Sequence, residues 1–158
     1  RLFGLLGGKG PGTEWVASES TGALPLEQIL AQGVTDAPDV NAVATRHEAE
    51  VDVLLWNYHD SDVGVPAAHV LLTMDGLGGK ETLESEFRVD ATHSNAFRVW
   101  EQMGSPSQPT RDQMGELERA GKLEETQQDH VIPVHDGVIQ VELNLPRQGV
   151  WLVRLRKR

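Results

Sequence analysis

The 158 residues predict a mainly β protein: an antiparallel β-sandwich with a small inserted helical hairpin. Three observations carry that expectation. Short runs rich in branched aliphatic and aromatic residues recur along the chain, Gly, Pro, Asn or Asp bound several of them, and no long helical pattern separates them as a parallel α/β sheet would require. One region, about 92–124, departs from this and switches to helical periodicity.

The clearest strand is VDVLLWNY, 51–58, in which Val51, Val53, Leu55 and Asn57 point one way and Asp52, Leu54, Trp56 and Tyr58 the other. HDSDVGVP follows as a connection, and HVLLTMDGLGG reads as a second strand running into a glycine-rich turn, so the two strands are expected to pair as a hairpin. Further strands are expected at 14–18, 39–46, 81–90, 138–145 and 150–156, and a helical turn fits LPLEQILAQG at 24–33.

Within SNAFRVWEQMG, Phe97, Trp100 and Met103 stand at helical spacing with Val99 on their flank, which predicts a short helix docking those side chains inward. Ser94 or Thr92 can accept its first free N–H groups, and Gly104 can close its C-terminus. In TRDQMGELERAGKL, Thr110 and Gln113 form a capping-box pattern, Met114 and Leu117 share a face, and Gly121 ends the run. The two helices are expected to form a hairpin between strands of one domain spanning 1–158, with no internal repeat and no separating linker.

With 39% hydrophobic and 24% charged residues, 16 Gly and 8 Pro, the chain has the composition of a globular protein with many turns. A net charge of −10 argues against a nucleic-acid partner, because phosphate contacts need a basic face and the only basic cluster is RLRKR at 154–158. No run of about eighteen apolar residues and no signal-peptide pattern occurs, so no membrane partner is expected. The lack of cysteine removes disulfides and thiolate zinc sites, and fits a reducing or an oxidising compartment equally well. A start at Arg1, running at once into RLFGLLGG, is what a cut through a longer protein would give.

Several side chains invite a chemical reading. His93 beside Ser94 suggests a base and a nucleophile, but adjacency in sequence does not supply that geometry, no G-x-S-x-G elbow is present, and a serine before a helix serves as a cap or a structural hydrogen bond. His59, Asp60 and Asp62 could offer metal ligands, yet the spacing matches neither an EF-hand loop nor H-E-x-x-H, and Asp at a strand end favours turn-stabilising bonds. No metal and no cofactor is expected. His130 and His135 lie an odd number of residues apart, hence on opposite faces of a strand, and His47 and His69 show no partner. Nothing nominates a pair of catalytic carboxylates among the 24 acidic residues. Aromatic faces can stack on sugar rings, and Trp15 together with the Trp56/Tyr58 pair is the candidate platform, whereas Trp100 and Trp151 lie in apolar stripes and fit core packing.

VLLWNYHDSD at 53–62, FRVDATHSNAFRVWEQMGSPSQPTRDQMGELERAGKL at 87–123 and LNLPRQGVWLVRL at 143–155, in this order and spacing, resemble the C-terminal region of glycoside hydrolase family 39 β-xylosidases. The resemblance covers nearly the whole chain and includes RLFGLLGG and PDVNAVATR upstream. It marks His59, Asp60, His93, Ser94, Asn95, Trp100, Pro146 and Arg147 as signature residues with structural roles. It implies a parent enzyme with a catalytic (β/α)8 barrel that cleaves β-xylosides with retention through two glutamates, followed by a β-sandwich accessory domain with a helical insertion. The family's acid/base glutamate sits in Asn-Glu-Pro. No Asn-Glu dipeptide occurs here and no βα repeat precedes the sandwich, so no catalytic residue is expected in this chain. The implied role is to stabilise or assemble with the barrel of an enzyme acting on xylo-oligosaccharides; a carbohydrate-binding module for xylan or xylo-oligosaccharides, using Trp15 or Trp56/Tyr58, is the alternative. Trp151 departs from the family pattern, where a small residue such as serine is common. The family's sandwich can also include a strand from the enzyme's extreme N-terminus, which implies an open edge and an apolar barrel-facing patch here.

Overall fold

The computed structural model describes residues 6, 13–61, 66–76 and 78–157; Asp62 and all of RLFGLLGG except Leu6 lie outside them. Among the described residues, eight strands and three short helices follow in the order β1 (Glu14–Val16), α1 (Leu26–Gln32), β2 (Asp39–His47), β3 (Glu50–Tyr58), β4 (Ala68–Met74), β5 (Glu81–Val89), α2 (Ala96–Gln102), α3 (Arg111–Ala120), β6 (Glu124–Pro133), β7 (Ile139–Leu145) and β8 (Gly149–Lys157). They form two antiparallel sheets, a six-stranded one in the order β1-β2-β3-β8-β5-β6 and a two-stranded one of β4 and β7. This is the mainly β sandwich that the sequence predicts.

Period-2 alternation explains the layering. In β7 the pattern is strict, with Ile139, Val141, Leu143 and Leu145 buried and Gln140, Glu142 and Asn144 exposed, so one face meets the core and the other meets water. Its inward side chains pack on Val51, Val53 and Leu55 of β3 and on Trp151, Val153 and Leu155 of β8. The large sheet does not leave its second face polar. On the outer side Leu54 and Leu152 are also fully buried, packed with Leu6 and flanked by Val43, Phe87, Val89 and Val150. Strand β3 therefore reads VDVLLW with both alternating sets covered, as a middle layer requires.

The outer face also carries a buried ion pair. Arg154 on β8 donates from Nε to Asp52 Oδ1 (2.8 Å) and from Nη2 to Oδ2 (3.1 Å), a bidentate pairing across directly opposed residues. Asp52 is 3% exposed, so this pair positions the β3–β8 register as well as satisfying its charges. On the inner face, Trp151 has its packing partner in Arg88, whose guanidinium lies 3.7 Å from the ring centroid.

Three expectations are corrected. β3 and β4 do not pair as a hairpin: β3 is flanked by β2 and β8, so both its edges are already hydrogen-bonded, and β4 joins the other sheet beside β7. β6 begins at Glu124, well before the strand-like stretch expected at His130. Its EETQQDH start has few strand formers because it is an outermost strand, and it pairs with β5 through two register shifts, with Asp129 at φ 48°. Finally, the helices do not dock Phe97 inward. Neither α2 nor α3 holds a buried residue, and the two pack on each other, with Phe97 5.6 Å from Trp100 and still 60% exposed.

Burial fixes the expected energetics. Leu155→Ala, at a core position 1% exposed, is expected to cost about 2–5 kcal/mol, whereas Leu71→Ala, 52% exposed, is expected to stay within about 0.5 kcal/mol of the parent. Urea unfolding measures both; equal losses would contradict the layer assignment.

Candidate functional site

Most of the signature residues gather into two joints. The first lies where β3 ends. His59 is buried, and its Nδ1 accepts from the Ser61 backbone N–H (3.0 Å), which leaves the ring proton on Nε2. The Asp60 carboxylate accepts from Val34 N–H (2.8 Å), while Asp60 N–H donates to the Val34 carbonyl (2.9 Å), so one residue clamps the exit of α1 in both directions. Gly33 is required here: it has φ 71°, and a Cβ would lie 2.2 Å from Asp60 Oδ2.

Opposite stands the PRQG turn that carries the chain from β7 to β8, and so from one sheet to the other. Gln148 donates to the His59 carbonyl from Nε2 (2.6 Å) and to the Asn57 carbonyl from its backbone (2.8 Å), and Arg147 Nη2 donates to Ser61 Oγ (3.0 Å). Gly149 N–H closes on the Pro146 carbonyl at 3.0 Å, and a Cβ on Gly149 would meet that oxygen at 2.7 Å. The joint therefore fixes one of the places where the chain crosses between the two sheets. No group of three or more His, Asp or Glu that could hold a metal occurs among the described residues.

The second joint is the root of the helical hairpin. Asp90, 5% exposed at the end of β5, accepts through Oδ1 from Thr92 N–H (2.8 Å), the Thr92 hydroxyl (2.9 Å), His93 N–H (2.9 Å) and His93 Nδ1 (2.9 Å). Asn95 donates to the Asp90 carbonyl (2.8 Å) and accepts from Arg98 N–H (3.1 Å), so Asn95 is the cap of α2. Ser94 and Thr92, the expected caps, are occupied elsewhere. Ser94 takes a left-handed φ of 54°, which swings its hydroxyl to accept from Glu124 N–H (2.8 Å) at the start of β6. His93 and Ser94 thus face different partners and form no nucleophile and base. Trp100 Nε1 donates to the Pro106 carbonyl (3.0 Å), and the Thr110–Gln113 capping box starts α3 as its sequence predicts. Asp90, the acceptor on which this joint converges, was not singled out from sequence, although D-x-T-H-x-N is the pattern of an acceptor followed by its donors.

The aromatic candidates do not share one platform. Trp15, 74% exposed on β1, opposes Thr45, whereas Trp56 opposes Asn41, four residues or ~13 Å away along β2. Trp56 and Tyr58 instead line a trough of about 500 Å³ on the outer sheet face, with Ile29, Val43, Leu54 and Val150. Most of its polar groups are already engaged. Asp39 accepts from Leu24 N–H (2.9 Å) and Trp56 Nε1 (2.7 Å), and the Tyr58 phenol, hydrogen-bonded to Asp60, is pushed up first by that bond and then by the Asp60 charge. The exposed lining is mostly apolar, which suits a hydrophobic surface better than a polyhydroxylated one.

Burial alone would raise the Asp90 carboxyl, but the bonds from Thr92 and His93 outweigh it and hold it below the ordinary 3.8. A depressed folded-state value stabilises the fold above that ordinary value and is lost as the pH falls through the lower one. Asp90→Ala is therefore expected to lose about 2–3 kcal/mol at pH 7, with the gap to the parent narrowing at lower pH. Urea midpoints at several pH values read this; a gap constant with pH would contradict it.

No family model matches the chain. It is 25% identical over 155 residues to a β-xylosidase of Caldicellulosiruptor saccharolyticus, a match that covers 98% of this chain and 31% of that relative. The glycoside hydrolase family 39 enzyme of Xanthomonas axonopodis pv. citri superposes with a TM-score of 0.63 at 18% identity, over 74% of this chain and 26% of that one. A monomeric β-xylosidase of Caulobacter crescentus gives 0.56 at 22% identity, over 73% and 26%. The chain thus spans about a third or less of the proteins it resembles; it is similar in sequence to part of a β-xylosidase and in fold to part of glycoside hydrolase family 39 enzymes.

Proposed function

We propose that this chain is the non-catalytic accessory β-sandwich of a β-xylosidase-like enzyme acting on xylo-oligosaccharides, and that its outer sheet face seats on the catalytic (β/α)8 barrel. The observation that carries this reading is the apolar outer face. An antiparallel sheet that faces water presents polar residues there, but Val43, Leu54, Phe87, Val89, Val150 and Leu152 make this face a second core surface, continued by the trough beside Trp56 and Tyr58. About two-thirds of the matched β-xylosidase lies outside the match, ample for a barrel. The signature joints support the same role. They consist of satisfied hydrogen bonds that lock turns and caps, and none presents a free nucleophile, a base or a converging carboxylate pair.

Titration of the chain with the barrel portion of the parent enzyme, followed by calorimetry, tests this. Saturable binding and a raised barrel Tm are expected, and Val43→Glu together with Val150→Glu is expected to weaken binding by about tenfold or more without unfolding the chain. Xylo-oligosaccharides are expected to leave the tryptophan fluorescence unchanged. A saturable sugar response lost in Trp56→Ala, with no binding of the barrel, would overturn the accessory reading in favour of a carbohydrate-binding module.

A further inference from the structure

The two sheets are unequal: two strands face six, so the inner face of the large sheet at β5 and β6 extends past the open edge of β7. A cleft of about 330 Å³ lies there, between β5 and β6 on one side and β7 on the other. Glu84 forms part of its floor. It opposes the core residue Leu155 on β8 and His130 on β6, which turns its side chain inward between the layers, and it is only 4% exposed. Its Oε1 has no hydrogen-bond partner.

The neighbouring charges do not resolve this. Glu86, two residues along on the same face, receives Arg88 Nε at 3.1 Å, and the same guanidinium stacks on Trp151. Arg88 is thereby committed to Glu86. Burial first, and the Glu86 charge second, push the Glu84 carboxyl up, against partial opposition from His130 and Arg88. A buried carboxylate oxygen with no donor is costly, and native structures retain one where something else supplies the missing charge or hydrogen bond.

The walls indicate what would fit. Among the described residues no three metal-binding side chains converge, which disfavours a divalent ion. The cleft instead combines the Glu84 carboxylate, whose Oε1 has no donor, with Gln127, an aliphatic collar of Ile132 and Val141, and Gln140 and Glu142 at the rim on the water-facing side of β7. A carboxylate behind an apolar collar matches a cationic head on an alkyl stem.

We propose that this cleft binds an alkylammonium or alkylguanidinium group, with its charge seated on Glu84. The assignment is independent of the barrel-docking surface, which lies on the opposite face of the large sheet. The test is a titration of the 158-residue chain at pH 7 with n-butylammonium and n-butylguanidinium chloride, following the side-chain amide NMR signals of Gln127 and Gln140. Saturable shifts are expected, weakened by about tenfold or more in Glu84→Gln and less in Glu142→Gln. Nα-acetyl-lysine methylamide separates two sources of the same chemistry. Tighter binding than butylammonium assigns the site to a peptide-borne side chain, and equal binding assigns it to a free amine.

Should Glu84→Gln fail to fold, the unmodified chain still decides. The titratable and charged groups lining the cleft are Glu84, Glu86, His130 and Glu142, with Arg88 behind Glu86, so affinity must fall as the pH is lowered and the Glu84 carboxylate protonates. No saturable shift with any of the three probes, shifts unchanged in Glu84→Gln, or a pH-independent affinity would each overturn the proposal.

Discussion

The pairing of β3 with β8 at the centre of a sheet that is apolar on both faces is the constraint from which the rest follows. Each of these strands places one set of alternating side chains toward β4 and β7 and the other toward the opposite side, and both sets are too apolar to face water. The inner set accounts for the second sheet. The outer set accounts for α1 lying beside the sheet, for Leu6 over Leu54 and Leu152, and for a trough that still exposes part of Trp56, Tyr58 and Val150. The Asp52–Arg154 pair fixes the register of the two strands from within, since a one-residue slip would separate the pair and exchange the two faces.

Within that frame the residues that carry the family resemblance stand where the chain changes direction. His59, Asp60, Pro146 and Arg147 hold the β7–β8 crossing between the sheets, and His93, Ser94 and Asn95 gather around Asp90 at the root of the helical hairpin. Histidine serves here as a hydrogen-bonding wedge, through Nδ1 in both joints. Exchange of such residues removes bonds from buried backbone groups, a cost independent of any reaction.

Much of this was legible in the residues. Alternation in 51–58 and the Gly- or Pro-bounded runs at 138–145 and 150–156 predict strands close to those observed, and Thr110 with Gln113 locates the start of α3. Partnership between strands was not legible, because period-2 patterning names a strand's faces and not its neighbours; hence β3 and β4 looked like a hairpin although they lie in different layers. The start of β6 was hidden because a bulged edge strand can be polar along most of its length. The cap of α2 fell to Asn95 rather than Ser94 through a left-handed backbone turn that no spacing rule announces. Phe97 has the spacing of a buried residue, but the helices meet each other and leave it open. For the aromatic candidates, sequence showed that Trp56 and Tyr58 share a face but not that Asp39 already holds the indole N–H.

Signature residues spent on joints, and an apolar outer sheet face, support the proposed docking against another domain. The central claim of that proposal is that this chain carries no glycosidase chemistry of its own. Incubation of the purified chain with a chromogenic aryl β-xyloside measures that directly. The account predicts no release of the chromophore above buffer, and release at the rate of a complete β-xylosidase, surviving repurification, would contradict it.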